Sequence, residues 1–163
     1  MNFLVKPQNR CLAVVRIRGT INVRKDVKQT LKLLRLNKVN HATLIFPSPQ
    51  YLGMLQKAKD YITWGEVSKE TILKLLRERG EIVGGKKLTD EYVKNLGFKN
   101  LEEIAEKIYS LKLKLKDLDG VKPVFRLHPP SGGFKKTLKR SFSEDGELGY
   151  RGEEINKLLE KMM

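Results

Sequence analysis

Between Leu12 and Trp64 the hydrophobic pattern changes period at each short step, and this alternation restricts the fold more than any other feature. Leu12-Ala13-Val14-Val15-Arg16-Ile17-Arg18 is short and β-branched and ends at Gly19, which predicts a strand. After Asn22, an expected N-cap, Val23, Val27, Leu31 and Leu34 recur at helical spacing. Ala42 to Phe46 reads as a second strand, closed by Pro47. Ser48 and Pro49 then supply an N-cap and a proline at the first helical position, and Leu52, Leu55 and Ala58 follow on one side. Tyr61 to Trp64 is a third strand, stopped by Gly65. The expectation is an α+β fold: a β-α-β-α-β core whose two helices cover one face of a small sheet.

Charge comes next. The 163 residues hold 33 Lys and Arg against 19 Asp and Glu, a net charge of +14, which points to a polyanionic partner. Its distribution is uneven: residues 1–65 carry 12 basic and 2 acidic side chains, and residues 111–142 carry 9 and 2. Residues 66–110 hold 9 of each sign, and 143–163 hold 3 basic and 6 acidic. Charge that merely kept the chain soluble would intersperse its signs.

Within the first block, Arg24, Lys28, Lys32 and Arg35 are spaced as one stripe opposite the apolar one, with Lys25 and Lys38 flanking it. Like charges one turn apart oppose helix formation by a few tenths of a kcal/mol per pair. A phosphate-contacting face explains the stack; a solvated face would mix its signs. The second block centres on RLHPPSGGFKKTLKRSF, residues 126–142, in which Lys135, Lys136, Lys139 and Arg140 follow Pro129-Pro130 and Gly132-Gly133 without an acid. Prolines hold such a chain extended, glycines allow close approach, and the cations, with Arg126, neutralise phosphates. Phe134 and Phe142 are candidates to stack on splayed bases. This stretch is expected to be a mobile arm in the free protein.

The neutral middle reads as helices packed for stability. Ser68 caps one that ends at Gly80, Thr89 another, and Asn100 opens near a capping box with Leu101, Ile104, Ala105 and Ile108 on one side. The two short helices over 89–109 resemble a helix-turn-helix, so a DNA-binding regulator is the alternative reading. Gly80 to Lys87 has the spacing of a phosphate-binding loop except that Lys87 stands where a hydroxyl must bind Mg²⁺. The expectation is a short strand at Ile82-Val83 and a Gly84-Gly85 turn, leaving Lys86 and Lys87 free for RNA. His41 and His128 have no metal-ligand cluster around them, and no activated nucleophile is present; neither catalysis nor a cofactor is predicted. Ile155, Leu158, Leu159 and Met162 predict an amphipathic C-terminal helix docked on the core. A single cysteine, with no secretory signal or membrane span, predicts a cytoplasmic protein.

Four stretches carry a resemblance. CLAVVRIRG, the run TLKLLRLNKVNHATLIFPSPQYLGMLQKAKDYITWGEV and the later RLHPPSGGFK and GELGYRGEEINKLLEKM are similar to the large-subunit ribosomal protein thirty family in its long archaeal form. Eukaryotic relatives of that family are called large-subunit protein seven. The resemblance implies a three-stranded, two-helix core related to ferredoxin-like folds, without catalytic activity. It implies large-subunit ribosomal RNA and neighbouring ribosomal proteins as partners, with no membrane and no small-molecule substrate. On this reading residues 1–66 form the core domain and 67–163 a helical extension with the basic arm. Arg16, Arg18, His41 and His128 join the cations named above and Phe134 as candidate RNA contacts.

Overall fold

The central strand of the fold, β1 (Leu12–Arg16), is buried along its whole length, so it needs cover on both faces. Successive side chains of a strand point to opposite faces, which divides β1 into two sets. In the computed structural model, which describes residues 10–19 and 21–163, each set enters a different core. Leu12 and Val14 join one apolar cluster, whereas Cys11, Ala13, Val15 and Ile17 join the other. β1 lies antiparallel between β2 (His41–Ile45) and β3 (Ile62–Glu66), with Val14 opposite both Thr43 and Trp64.

Helices α1 (Lys25–Leu33) and α2 (Pro49–Lys57) cover the first face, packing Val27, Leu31 and Leu55 on Leu12, Val14, Ile45, Ile62 and Trp64. Both predicted helices are therefore on one side of the sheet. The start of α1 differs from expectation. Asn22 is not its N-cap but sits in a left-handed turn at φ 58°, a conformation its short polar side chain tolerates; Arg24 occupies the cap position. α1 closes in a Schellman arrangement: Leu36 N donates to Leu31 O at 2.9 Å and Arg35 N to Lys32 O at 2.9 Å. Arg35 takes the left-handed position of that motif, φ 63°, where glycine is the usual residue.

The second face belongs to the extension. α3 (Lys69–Arg79), α4 (Asp90–Asn95), α5 (Leu101–Tyr109) and α6 (Ile155–Met162) bury Leu75, Val93, Ile104 and Leu159 against Ala13, Val15, Ala42 and Leu44. Ser48, Ser68, Thr89 and Asn100 cap their helices as the sequence predicts, each side chain accepting the amide three residues on.

Helices are not all the extension contributes. It adds β4 (Phe125–Arg126), β5 (Thr137–Ser141) and β6 (Gly146–Tyr150), giving a six-stranded sheet among the described residues in the order β4-β2-β1-β3-β6-β5. β4 is antiparallel to β2, β6 is parallel to β3, and β5 joins β6 through an irregular register. β4 and β5 thus occupy opposite edges. The expected free arm, residues 126–142, takes in Arg126 of β4, the connection between the two strands and the whole of β5. Five strand spacings are about 24 Å, and ten extended residues reach roughly 33 Å, so residues 127–136 are long enough to cross. The crossing is tied to the end of α6: His128 N donates to Met162 O at 3.1 Å and Ser131 N to Lys161 O at 2.9 Å. Those amides satisfy carbonyls that a helix end leaves open. Pro130 is buried, and Phe134 and Leu138 pack against the second core. The stretch is therefore built into the fold at several points rather than standing off it.

The junction between core and extension is tight. A Cβ placed on Gly65 of β3 would lie 1.9 Å from the carbonyl oxygen of Gly152. Beside it, buried Arg151 donates through Nε to Thr63 Oγ1 at 2.7 Å and faces Glu147 across 3.7 Å.

Candidate nucleic-acid interface

α1 buries Val27, Thr30 and Leu31, which turns Lys25, Lys28 and Lys32 outward. The stripe expected over Arg24, Lys28, Lys32 and Arg35 is only partly helical. Arg24 precedes the first turn and pairs with Asp26 at 3.0 Å, and Arg35 lies beyond the last turn. Among the described residues, Lys28, Lys32, Arg35 and Lys38 make no ion pair; all four are exposed. An open concavity of about 710 Å³ runs between α1 and the turn that follows it, lined by Lys25, Lys28, Lys32, Arg35 and Asn37. None of the described residues lining it is acidic. Gln29 also lines it, a residue that charge counting had no reason to select.

Arg16 is not a surface contact in the free chain. It is only 2% exposed, and it forms part of the floor of that concavity. Nη1 donates to Leu36 O at 2.8 Å and Nε to Arg18 O at 3.0 Å. The alternation that buries Leu12 and Val14 carries Arg16 to the same face. Arg18 is half-buried and reaches Asp60 O at 3.2 Å, with its guanidinium 5.4 Å from the Tyr61 ring centre. His41, at the start of β2, lies opposite Arg126 of β4. Burial, reinforced by Lys38, Arg126 and Arg16, holds its pKa below the ordinary imidazole value.

Around this first patch the cations differ in how free they are. Arg126 is bound to Glu81 at 2.6 Å, and Lys122 approaches the same carboxylate at 3.5 Å. The Arg126 hydrogen bond holds the Glu81 carboxyl below the usual range, so Arg126 has a partner already. Lys86 and Lys87 are exposed on the predicted turn, where Gly84 and Gly85 have φ 99° and 80° and Ile82 pairs with Val121. The turn follows α3 and leads into buried Leu88, a setting foreign to a phosphate-binding loop.

At the far edge of the sheet, Lys135, Lys136, Lys139 and Arg140 are exposed around a second concavity that also contains Asp145, 3.3 Å from Lys136. Phe134 is half-buried, with part of its ring packed against the second core. Phe142 is likewise half-buried, with Lys136 and Arg151 each 5.1 Å from its ring centre. His128, on the crossing, contacts Met163 O through Nε2 at 2.8 Å and Pro129 O through Nδ1 at 3.1 Å. Its ring is engaged in holding the end of α6. The exposed cations Lys112, Lys114 and Lys116, after α5, raise the charge of their block but follow no helical stripe that would have singled them out.

Residues 12–62, β1 to the start of β3, match the family model described as ribosomal protein L30p/L7e. Over 151 residues the chain is 50% identical to the large ribosomal subunit protein uL30 of Thermofilum pendens, covering 92% of this chain and 97% of the relative. The uL30 of Methanosphaera stadtmanae is 52% identical over 93% of this chain and 99% of its own length. That of Archaeoglobus fulgidus is 52% identical over 92% and 98%. The chain belongs to the uL30 family. Likeness to these relatives spans at least 92% of the chain, far more than the stretch that the family model matches. The helix-turn-helix alternative gains nothing from these relatives, and α5 opens with Glu102 and Glu103, the first of them paired with Arg77 at 3.5 Å.

Proposed function

We propose that this chain is a structural, non-catalytic constituent of the large ribosomal subunit that binds ribosomal RNA through the outer face of α1 and the turn after it. The observation that carries the reading is a concavity lined by four exposed cations, Lys25, Lys28, Lys32 and Arg35, with no acid among the described residues that line it. Self-repulsion of that kind is offset when phosphates displace the counter-ions. The far-edge group of Lys135, Lys139 and Arg140, together with Lys86 and Lys87, supplies further phosphate contacts. Residues 1–66 form the module facing RNA, and 67–163 form the extension that completes its sheet. The working place is the cytoplasm, within the subunit and beside other ribosomal proteins. Neither a membrane nor a small-molecule substrate enters this reading; no described helix is long and apolar enough to cross a membrane.

Sedimentation tests it. Tagged protein should travel with large subunits at low salt and be released as salt rises. A protein recovered only free, or on DNA, would overturn the reading.

A further inference from the structure

Among the described residues two arginines are almost fully buried, and their surroundings differ. Arg151, 7% exposed, has the carboxylate of Glu147 beside it. Arg16, 2% exposed, has two backbone carbonyls and no carboxylate, and its Nη2 has no partner among the described residues. A guanidinium taken out of water without a counter-ion is unfavourable, and proteins ordinarily pair it. The missing anion has an obvious place. Arg16 lies in the floor of the concavity whose walls carry Lys28, Lys32 and Arg35.

Arg35 adds a further cation to the same place. It holds the left-handed position that ends α1, at φ 63°, although glycine would occupy that position without strain. That backbone turn sets an exposed cationic side chain in the wall of the same concavity. Leu111 ends α5 with the same φ of 63°, so it is the placement of the Arg35 cation, not its backbone alone, that points to this concavity.

We propose that this concavity seats one backbone phosphate of RNA, which supplies the counter-ion that Arg16 lacks while Lys28, Lys32 and Arg35 hold it from the walls. The inference rests on the RNA-binding reading and makes it specific to one phosphate. The phosphate oxyanion is common to RNA and to free inorganic phosphate, so free phosphate is a probe of the seat by itself. A carboxylate from a neighbouring protein would match one cation; a repeating polyanion matches the wall of four.

The test uses the full chain and its Arg35→Gly and Arg16→Lys variants. Thermal melting is followed as inorganic phosphate replaces chloride at constant ionic strength. The parent should show a saturable rise in melting temperature, which both variants lose; general salt exclusion gives only an unsaturable rise common to all three. Arg35→Gly should melt at or above the parent without phosphate, since glycine relieves the strain, so this variant does not fail by unfolding. It should nevertheless bind a large-subunit RNA fragment about tenfold more weakly, with a salt slope flatter by about one unit. Equal saturable responses to phosphate in parent and variants, or none in the parent, overturn the seat. So does an Arg35→Gly protein with parental RNA affinity and slope while Lys28→Glu loses binding; the RNA-binding reading then survives. If the parent binds no ribosomal RNA, that reading falls, and with it the seat as a site for RNA. An acidic peptide that raises the melting temperature where RNA does not would assign the concavity to a protein partner and also overturn the proposal.

Discussion

The two helical layers of this sheet are built alike and charged differently. On the extension side five of the eight helical cations face a carboxylate, among them Lys69 with Glu106 at 3.8 Å, Lys74 with Glu160 at 3.7 Å, Arg77 with Glu102 at 3.5 Å and Lys107 with Glu103 at 3.5 Å. On the α1 side Lys28 and Lys32 lie one turn apart with no such partner among the described residues. Exposed pairs of this kind contribute about 0–1 kcal/mol each, so the extension gains little from its own. The contrast is informative for another reason. One layer is complete in itself, and the other leaves its repulsion for a partner to relieve.

Charge reversal should break the comparison most sharply. Lys28→Glu with Lys32→Glu is expected to weaken binding to large-subunit RNA by roughly a hundredfold or more, because two phosphate contacts become repulsive. Circular dichroism should stay unchanged, since both side chains project from the exposed face of α1. The matching pair on α3, Lys74→Glu with Arg77→Glu, should leave RNA affinity within about twofold and cost about 1 kcal/mol of stability. Equal losses of RNA affinity in both doubles would dissolve the distinction between the layers.

Gly65→Ala tests whether the extension layer is fixed to the core or merely rests on it. The new methyl would fall on the Gly152 carbonyl. Denaturant unfolding should register a loss of about 3 kcal/mol, the upper end for overpacking, because backbone rather than a flexible side chain must give way. At the far edge, Lys135→Gln, Lys139→Gln and Arg140→Gln together should flatten the salt dependence of RNA binding by two to three units, at about 0.9 per phosphate, with the melting temperature unchanged. Excising the stretch is a different experiment. Pro130, Phe134 and Leu138 are packed, so deletion of 129–140 should lower the melting temperature, contrary to what a free arm predicts. Hydrogen exchange on the free protein would show whether any of 131–136 still moves.

His41 gives the smallest effect. Its folded pKa lies below the ordinary 6.5 because of burial and nearby cations, so below pH 6.5 the unfolded chain takes up a proton that the folded one resists. Stability should fall as pH drops through that window, and His41→Gln should remove this part of the decline. A pH profile identical in the variant would exclude the assignment.

Much of this was legible in the residues. Short β-branched runs bounded by Gly and Pro marked β1 to β3, and four side-chain caps marked where helices begin. The 3.6-residue stripes of α5 and α6 predicted which side they bury. The added strands were hidden because β4 is two residues long and β6, Gly-Glu-Leu-Gly-Tyr, contains two glycines that weaken a strand signal. Both depend on partners roughly 85 residues away in sequence. Arg35 carried no sign of its left-handed backbone, since helix ends are announced by glycine. The burial of Arg16, named only as an RNA contact, was readable and missed: the period of two that buries Leu12 and Val14 includes it. The basic run 126–142 had the composition of a tether, but its prolines and glycines serve a crossing between sheet edges.

The order in which the layers arrive along the chain has a consequence in time. Ala13, Val15, Ala42 and Leu44 present an apolar surface as soon as β1 and β2 pair, and α6, the last element to cover that side, ends at Met162. At translation rates of about 5–20 residues per second, the roughly hundred residues after β3 take some 5–20 s to appear. For that interval the nascent chain has a finished basic face and an unfinished apolar one, with β2 and β3 still open as edges. Any delay within the extension prolongs this exposure, so a pause there should favour aggregation more than an equal pause before β1.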